Sequence, residues 1–348
     1  MPVYNAEPFL DDAILSVMEQ SFGDWELICV NDGSTDGSLS KLEAYASKDP
    51  RIRVFSKPNG GLLNARNDGA RHACGKWLYR MDADDLLSRN VLEEMVRTAN
   101  ETGADYVISE LVYWCPDQPE RNYYFNRKHG IFQGLSGREA LIKSLMWEFH
   151  GKGICRLDTY LKCTFDSDYG FIDEYVTRLV ILNSQKIAYS EGAYYYRQHV
   201  ESLCHKPSVR RFHALERSRL SEQLLLKVCD DWETIHSYRC LLFGELIGCT
   251  RLYLSQRRFF DKEERRQIVE LLTAAYRRTD KKAFHSYCLK PGWNNKYLGM
   301  LSFTNWTVFR IALLLHNHIH ALKSQVRIIT LKSATIIQYT IKGRFMSR

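Results

Sequence analysis

None of the ten cysteines stands in a C-x-x-C pair, which excludes a zinc ribbon or thioredoxin-type redox site as the organising feature of the chain. No secretory signal peptide opens it, so reduced thiols in a cytoplasmic protein are the expectation. There is no low-complexity tract and no internal repeat, and aromatic residues make up 12% of the chain, which argues against disorder. No clean run of about 20 apolar residues offers a plain membrane span. The nearest approach, residues 303–322, is interrupted by Arg310, His316, His318 and His320. The sharpest absence is one of charge: beyond Asp280 there is no acidic residue, whereas residues 281–348 hold eleven basic ones.

What is present is a 348-residue chain, 45% hydrophobic and 26% charged, the balance of a globular protein with room for about two domains. The net charge of +7 conceals unlike halves: 22 Lys+Arg against 30 Asp+Glu in residues 1–204, and 26 against 11 in residues 205–348. A basic half faces a polyanion, either nucleic acid or an anionic membrane surface. Trp306, Val308, Phe309, Ile311 and Leu313 to Leu315 with basic flanks suit a helix lying in the membrane interface. A helix packed on the rest of the protein is the plainer alternative. The apolar-aromatic pattern favours a membrane, and no nucleic-acid partner is expected. Alternating histidines spread around a helix, so they read as surface residues and not as a metal site.

The first half alternates strands and helices. Residues 27–30, 52–55, 77–81 and 106–109 are short apolar runs bounded by turn residues and read as buried strands. Residues 7–20, 35–47, 63–74 and 86–102 carry helical apolar spacing. Such alternation predicts an α/β domain with a mostly parallel sheet and flanking crossover helices. Ligands of such sheets sit beyond the carboxyl ends of the strands, where Asp32, Asn59 and Asp82 fall. Pro2-Val3-Tyr4-Asn5 reads as the tail of a strand whose first half is absent, so a truncated start is expected. From about Leu215 helical spacing dominates.

Three motifs carry candidate chemistry, each with a structural competitor. Asp82-Ala83-Asp84-Asp85 crowds three carboxylates into four residues, a repulsion that a divalent cation relieves. The competitor is Asp84 or Asp85 capping a helix that starts near Leu86. Asn31-Asp32-Gly33-Ser34-Thr35-Asp36-Gly37-Ser38 follows a strand and is equally suited to a capped strand-to-helix turn. In residues 60–69 a glycine pair lets the backbone approach a ligand and Arg66 could face a phosphate; a plain loop with a surface arginine competes.

In the order Pro2-Val3-Tyr4-Asn5, then 31–38, then 61–69, then 82–85, the motifs resemble the family 2 glycosyltransferases, which have the GT-A (Rossmann-like) nucleotide-sugar fold. Ile172-Asp173-Glu174-Tyr175 and residues 194–202 resemble that family's acidic motif and its downstream aromatic-Arg segment. The likeness covers roughly residues 1–204; the four-part order is specific, single pieces are not. It implies a GT-A catalytic domain over residues 1–210; the basic, mainly helical region over 211–348 carries no motif of that family. It implies nucleotide contacts from Val3, Tyr4, Glu7 and Asp32, with Arg66 beside them. Asp82 would sit near ribose and metal, and Asp84 would bind Mn²⁺ or Mg²⁺. Asp173 matches the catalytic base, and Arg197 would lie near the diphosphate.

The activity implied is single-displacement, inverting transfer of a sugar from a nucleotide diphosphate donor, expected to be a UDP-sugar. The acceptor would be a hydroxyl of a glycan or lipid-linked molecule in bacterial cell-surface polysaccharide or lipopolysaccharide assembly. The enzyme would work at the inner face of the cytoplasmic membrane, touching it through the basic region. Ile172 stands where the family carries Glu, and Glu174 follows Asp173, so either carboxylate could be the base; motif position favours Asp173. A catalytically inactive relative serving as a scaffold or glycan-binding protein is the alternative. A nucleotidyltransferase would need a Gly-rich loop with a lysine where Asn5-Ala6-Glu7-Pro8 stand. Tyr194 to Tyr196 read as strand-packing residues, and Lys152 as a solvated lysine or a phosphate contact.

Overall fold

The computed structural model describes residues 1–129, 132–163, 173–199 and 207–288. Ile172, residues 200–206, and the apolar, histidine-bearing segment 303–322 lie outside the described residues. Two compact units divide the chain, Met1–Tyr238 and Arg239–Arg348.

The first unit opens with β1 (Pro2–Val3), α1 (Leu10–Met18), β2 (Leu27–Asp32), α2 (Ser38–Ala46), β3 (Ile52–Lys57) and α3 (Leu62–His72). It continues with β4 (Trp77–Tyr79), β5 (Leu86–Leu87), α4 (Val91–Thr102), β6 (Tyr106–Trp114), β7 (Tyr123–Tyr124), β8 (Gln133–Leu135) and α5 (Gly137–Leu145). Then come β9 (Gly153–Arg156), α6 (Leu157–Lys162), α7 (Asp173–Asn183), β10 (Ile187–Arg197) and α8 (Ala214–Val228).

Strands β1, β2 and β3 form a parallel sheet. All six residues of β2 are buried, which is why its apolar run does not alternate. Pairing starts at the first residue: the Met1 amino group donates to the Ile28 carbonyl at 2.8 Å, and Val30 N–H donates to the Met1 carbonyl at 2.9 Å. The second sheet runs β4-β9-β6-β10-β5, with β7 on β6 and β8 on β10. In it β6 and β10 are parallel and the other pairs antiparallel. The parallel order expected from the sequence therefore holds in the first sheet and at the centre of the second.

Helices cover the sheets through one apolar stripe each. Helix α1 buries Leu10, Ala13, Ile14 and Val17, and α4 buries Val91, Met95, Thr98 and Ala99, the three-and-four spacing of an amphipathic helix. All of these except Thr98 join Leu27, Cys29, Val107, Leu111 and Tyr194 in one core, where each large side chain contributes about 1.5–3 kcal/mol.

The helix expected over 86–102 is corrected at its start. Leu86 and Leu87 pair antiparallel with Tyr195 and Tyr194 of β10, and the helix begins only at Val91, after Asn90. Sheet pairing to a strand a hundred residues away overrides the local spacing. Asp84 and Asp85 are consequently not helix caps.

Helix α9 (Trp232–Gln256) carries the chain into the second unit, followed by α10 (Lys262–Arg278) and α11 (Lys281–Cys288). Asp261 and Glu264 cap α10 reciprocally, and Ile268, Leu272 and Tyr276 form its buried stripe. Arg239 pairs with Asp280 at 3.0 Å. Among the described residues no helix is long and apolar enough to cross a membrane. The first compact unit runs to Tyr238, and within it α8 is tied to α7. Arg217 lies 3.1 Å from Glu174, and Arg178 donates to the Ser221 hydroxyl at 3.3 Å.

Candidate active site

The segment between β4 and β5 carries the DADD cluster, and its three carboxylates have three different fates. Asp82 has a cation on each oxygen. Arg66 of α3 holds Oδ1, and Lys152, just before β9, donates to Oδ2 at 3.1 Å. Burial opposes its charge, but Arg66 and Lys152 outweigh burial and hold the carboxyl far below its usual range. Asp85 is fully buried and accepts from the Tyr194 hydroxyl at 2.6 Å and from Arg197 N–H at 2.9 Å. Burial first, then the charges of Asp82 and Asp84, push its carboxyl up to about 8. Asp84 is the accessible one: Oδ2 lies 3.1 Å from His199 Nε2, and its backbone carbonyl accepts from Arg197 Nε at 2.8 Å.

Arg66 extends the cluster to a second loop. Its Nη1 lies 3.3 Å from Asp173 Oδ2, at the first turn of α7, while Nη2 is on Asp82. Burial would raise the Asp173 carboxyl, but the charges of Arg66, Arg80 and Lys152 together hold it below its usual range. Glu174 turns the other way, to Arg217 of α8. Of the two adjacent carboxylates, only Asp173 shares a partner with Asp82.

Arg197, the last residue of β10, reaches back to Asp12 at 2.7 Å and lies over the rings of Phe9 and Trp114. The network thus runs Asp173–Arg66–Asp82–Lys152–Tyr194–Asp85, and on through Arg197 to Asp84 and His199.

The nucleotide-contact candidates form a second group. Asp32, at the end of β2 and 3% exposed, accepts from Gly60 and Gly61 N–H, each at 2.8 Å. Gly61, at φ 88°, occupies the left-handed region that only glycine enters freely. Asp32 thereby fixes the entry to the helix that carries Arg66. Glu7 accepts from Gly37 N–H at 2.8 Å, and Asn5 accepts from Thr35 N–H at 2.8 Å, so residues 31–38 act as a turn that clasps the β1–α1 loop. Val3 is buried in the core, whereas Tyr4 is 54% exposed.

A hard divalent cation binds through one or two protein ligands plus phosphate oxygens. Asp84 with His199 fits that demand: an oxygen and a nitrogen within 3.1 Å of each other. Asp82, expected to share the cation, already has both oxygens on positive charges. No group of three or more His, Cys, Asp or Glu converges among the described residues.

Sequence reasoning gave Tyr194 a packing role and Asp85 a place in the acidic cluster or a helix cap, gave His199 no role of its own, and left Lys152 between solvent and a phosphate. Tyr194 is buried as expected for a strand residue, but its hydroxyl serves the cluster. Lys152 is 15% exposed at its side chain, not solvated. The one available signal was that Tyr194 and His199 flank Arg197.

A parallel sheet beside a mixed one, with candidate groups beyond the strand ends, has the arrangement of a GT-A fold. The structure of S. aureus TarS 1–349 in complex with UDP-GlcNAc superposes with a TM-score of 0.68 over 91% of this chain and 90% of that one, at 17% identity. The family model described as glycosyl transferase family 2 matches residues 1–157. It is 30% identical to the uncharacterized glycosyltransferase EpsJ of Bacillus subtilis (strain 168) over 60% of its own length, spanning 62% of EpsJ. It is 27% identical to glycosyltransferase GlyG of Streptococcus pneumoniae serotype 4 over 58% of its length and 71% of GlyG.

Proposed function

We propose that the protein transfers a sugar from a nucleotide diphosphate donor to an acceptor hydroxyl, with inversion at the anomeric carbon. The carrying observation is the Arg66 bridge, which brings Asp173 and Asp82 from separate loops onto one guanidinium. Asp173, kept ionised by Arg66, takes the proton of the acceptor hydroxyl. As the new C–O bond forms, the bond from the anomeric carbon to the diphosphate oxygen breaks, and that oxygen leaves with the electron pair. Asp84 and His199 would hold Mn²⁺ or Mg²⁺, which supplies charge neutralisation to the leaving diphosphate. Asp32, Tyr4, Val3 and Glu7 line the nucleoside end, and Arg197 closes the diphosphate end. A UDP-sugar is the donor of choice, in keeping with the UDP-GlcNAc held by TarS on the same fold.

The acceptor is proposed to be a glycan or lipid-linked molecule of bacterial cell-surface polysaccharide assembly. The acid-free residues 281–348 would bring the protein to an anionic membrane surface. Flotation with anionic vesicles, lost in high salt, tests that contact.

The deciding experiment is turnover of a panel of UDP-, GDP- and dTDP-sugars with Mn²⁺, comparing the parent with Asp173→Ala. The variant should lose about 10²–10⁴-fold in transfer and keep nucleotide binding. No turnover of any donor by the parent would leave the scaffold alternative standing.

A further inference from the structure

Lys152 is built into its position. Its carbonyl accepts from both Ser109 N–H and the Ser109 hydroxyl, at 2.8 and 3.1 Å. Glycines flank it because nothing larger fits. A Cβ at Gly153 would lie 2.0 Å from the Val107 carbonyl oxygen of β6, and one at Gly151 2.5 Å from Thr177 of α7. The side chain therefore starts from a backbone wedged between the central strand and the helix that begins at Asp173. Its ammonium sits 3.1 Å from Asp82 Oδ2, 3.1 Å from the Tyr194 hydroxyl and 4.2 Å from the centre of the Tyr194 ring.

A lysine ammonium has three N–H donors. Two are used here, and the third has no partner among the described residues. The same holds for Arg66, the other cation on Asp82: its Nε is buried without a partner. A buried donor without an acceptor is costly, so the Arg66 Nε and the remaining donor of the partly exposed Lys152, both beside one carboxylate, mark a place for an incoming anion.

The geometry points to Lys152 as a phosphate-binding residue of the donor site. Asp82 holds the ammonium in the free protein, and the ammonium turns its remaining donor to a diphosphate oxygen when donor binds. This rests on the reading of the site as a nucleotide-diphosphate site. In transfer, Lys152 would meet the charge that builds on the departing diphosphate oxygen. Tyr194 is a positioning residue in this scheme, since its hydroxyl accepts from Lys152 and donates to Asp85.

Calorimetric binding of inorganic pyrophosphate, UDP and uridine, each with Mn²⁺, tests the assignment on the full chain. Lys152→Met and Lys152→Gln should weaken pyrophosphate and UDP on the order of tenfold and leave uridine unchanged. Lys152→Arg should restore part of the loss, and Lys76→Met, at an exposed lysine, should match the parent. Equal weakening of uridine and UDP would mean that Lys152 only holds Asp82, and would overturn the proposal; so would unchanged pyrophosphate binding. A second readout needs no substitution: pyrophosphate with Mn²⁺ should slow acylation of Lys152 relative to Lys76, and absence of protection overturns the proposal as well. Lys152-dependent pyrophosphate binding in a protein that turns over no sugar donor would remove the transferase reading and leave this one intact.

Discussion

Tyr194 donates a 2.6 Å hydrogen bond to Asp85 across 109 residues of sequence. That bond, with the Asp82 N–H and Lys152 Nζ both donating to the same hydroxyl at 3.1 Å, ties strand β10 to the acidic loop. Tyr194→Phe keeps the ring in the core but leaves Asp85 and Lys152 each short of a partner. A buried polar group left unpaired costs about 1–3 kcal/mol. Urea denaturation should show a loss of that size, with sugar transfer falling as well. Stability equal to the parent would show that the hydroxyl carries no such load.

Asp85 gives stability a pH dependence of defined sign. Its carboxyl keeps a proton to about 8 in the folded state but only to about 4 when unfolded. Between those values the native state binds more protons, so this group's contribution falls as pH rises, and is flat above about 8. Asp85→Asn removes the effect. The variant's stability relative to the parent should therefore improve from pH 5 to pH 8.5, measured as urea midpoints. A parent-to-variant difference that is the same at both pH values would contradict this.

Arg66 sets the working range of Asp173. Arg66→Lys keeps one charge but cannot reach both carboxylates with a planar fork. Losing one charged hydrogen bond corresponds to about 1.5–3 kcal/mol. With the counter-charge withdrawn, the folded Asp173 carboxyl rises, since burial then acts with less opposition. The acidic limb of the transfer-versus-pH curve should move to higher pH. A limb that stays put would show that Arg66 does not govern the base.

Metal use separates Asp84 from Asp82. Asp84→Asn and His199→Ala should each raise the Mn²⁺ concentration for half-maximal transfer by about tenfold or more, since even outer-shell changes at metal sites reach that size. Asp82→Asn should act mainly through Arg66 and Lys152. A larger shift in Mn²⁺ requirement for Asp82→Asn than for Asp84→Asn would reverse the assignment.

Much of this was legible in the residues. The runs at 27–30, 52–55 and 77–81 became β2, β3 and β4; β2 is buried throughout, and a strand buried on both faces must be apolar along its length. The motif order placed Asp32, Arg66, Asp82, Asp84, Asp173 and Arg197 in a single domain and pointed to the family whose model matches residues 1–157. What local sequence could not decide was which side of each motif faced which partner. Leu86 and Leu87 fit a helix by spacing, yet β10 claims them as a strand edge. Tyr194, Lys152 and His199 are unremarkable in sequence, and their chemistry exists only because β10 and β9 bring them against the acidic loop. Local pattern determines elements, since it records burial and backbone preference residue by residue. Charge pairing across seventy to more than a hundred residues belongs to the tertiary structure, because it depends on distances that no spacing in the chain encodes.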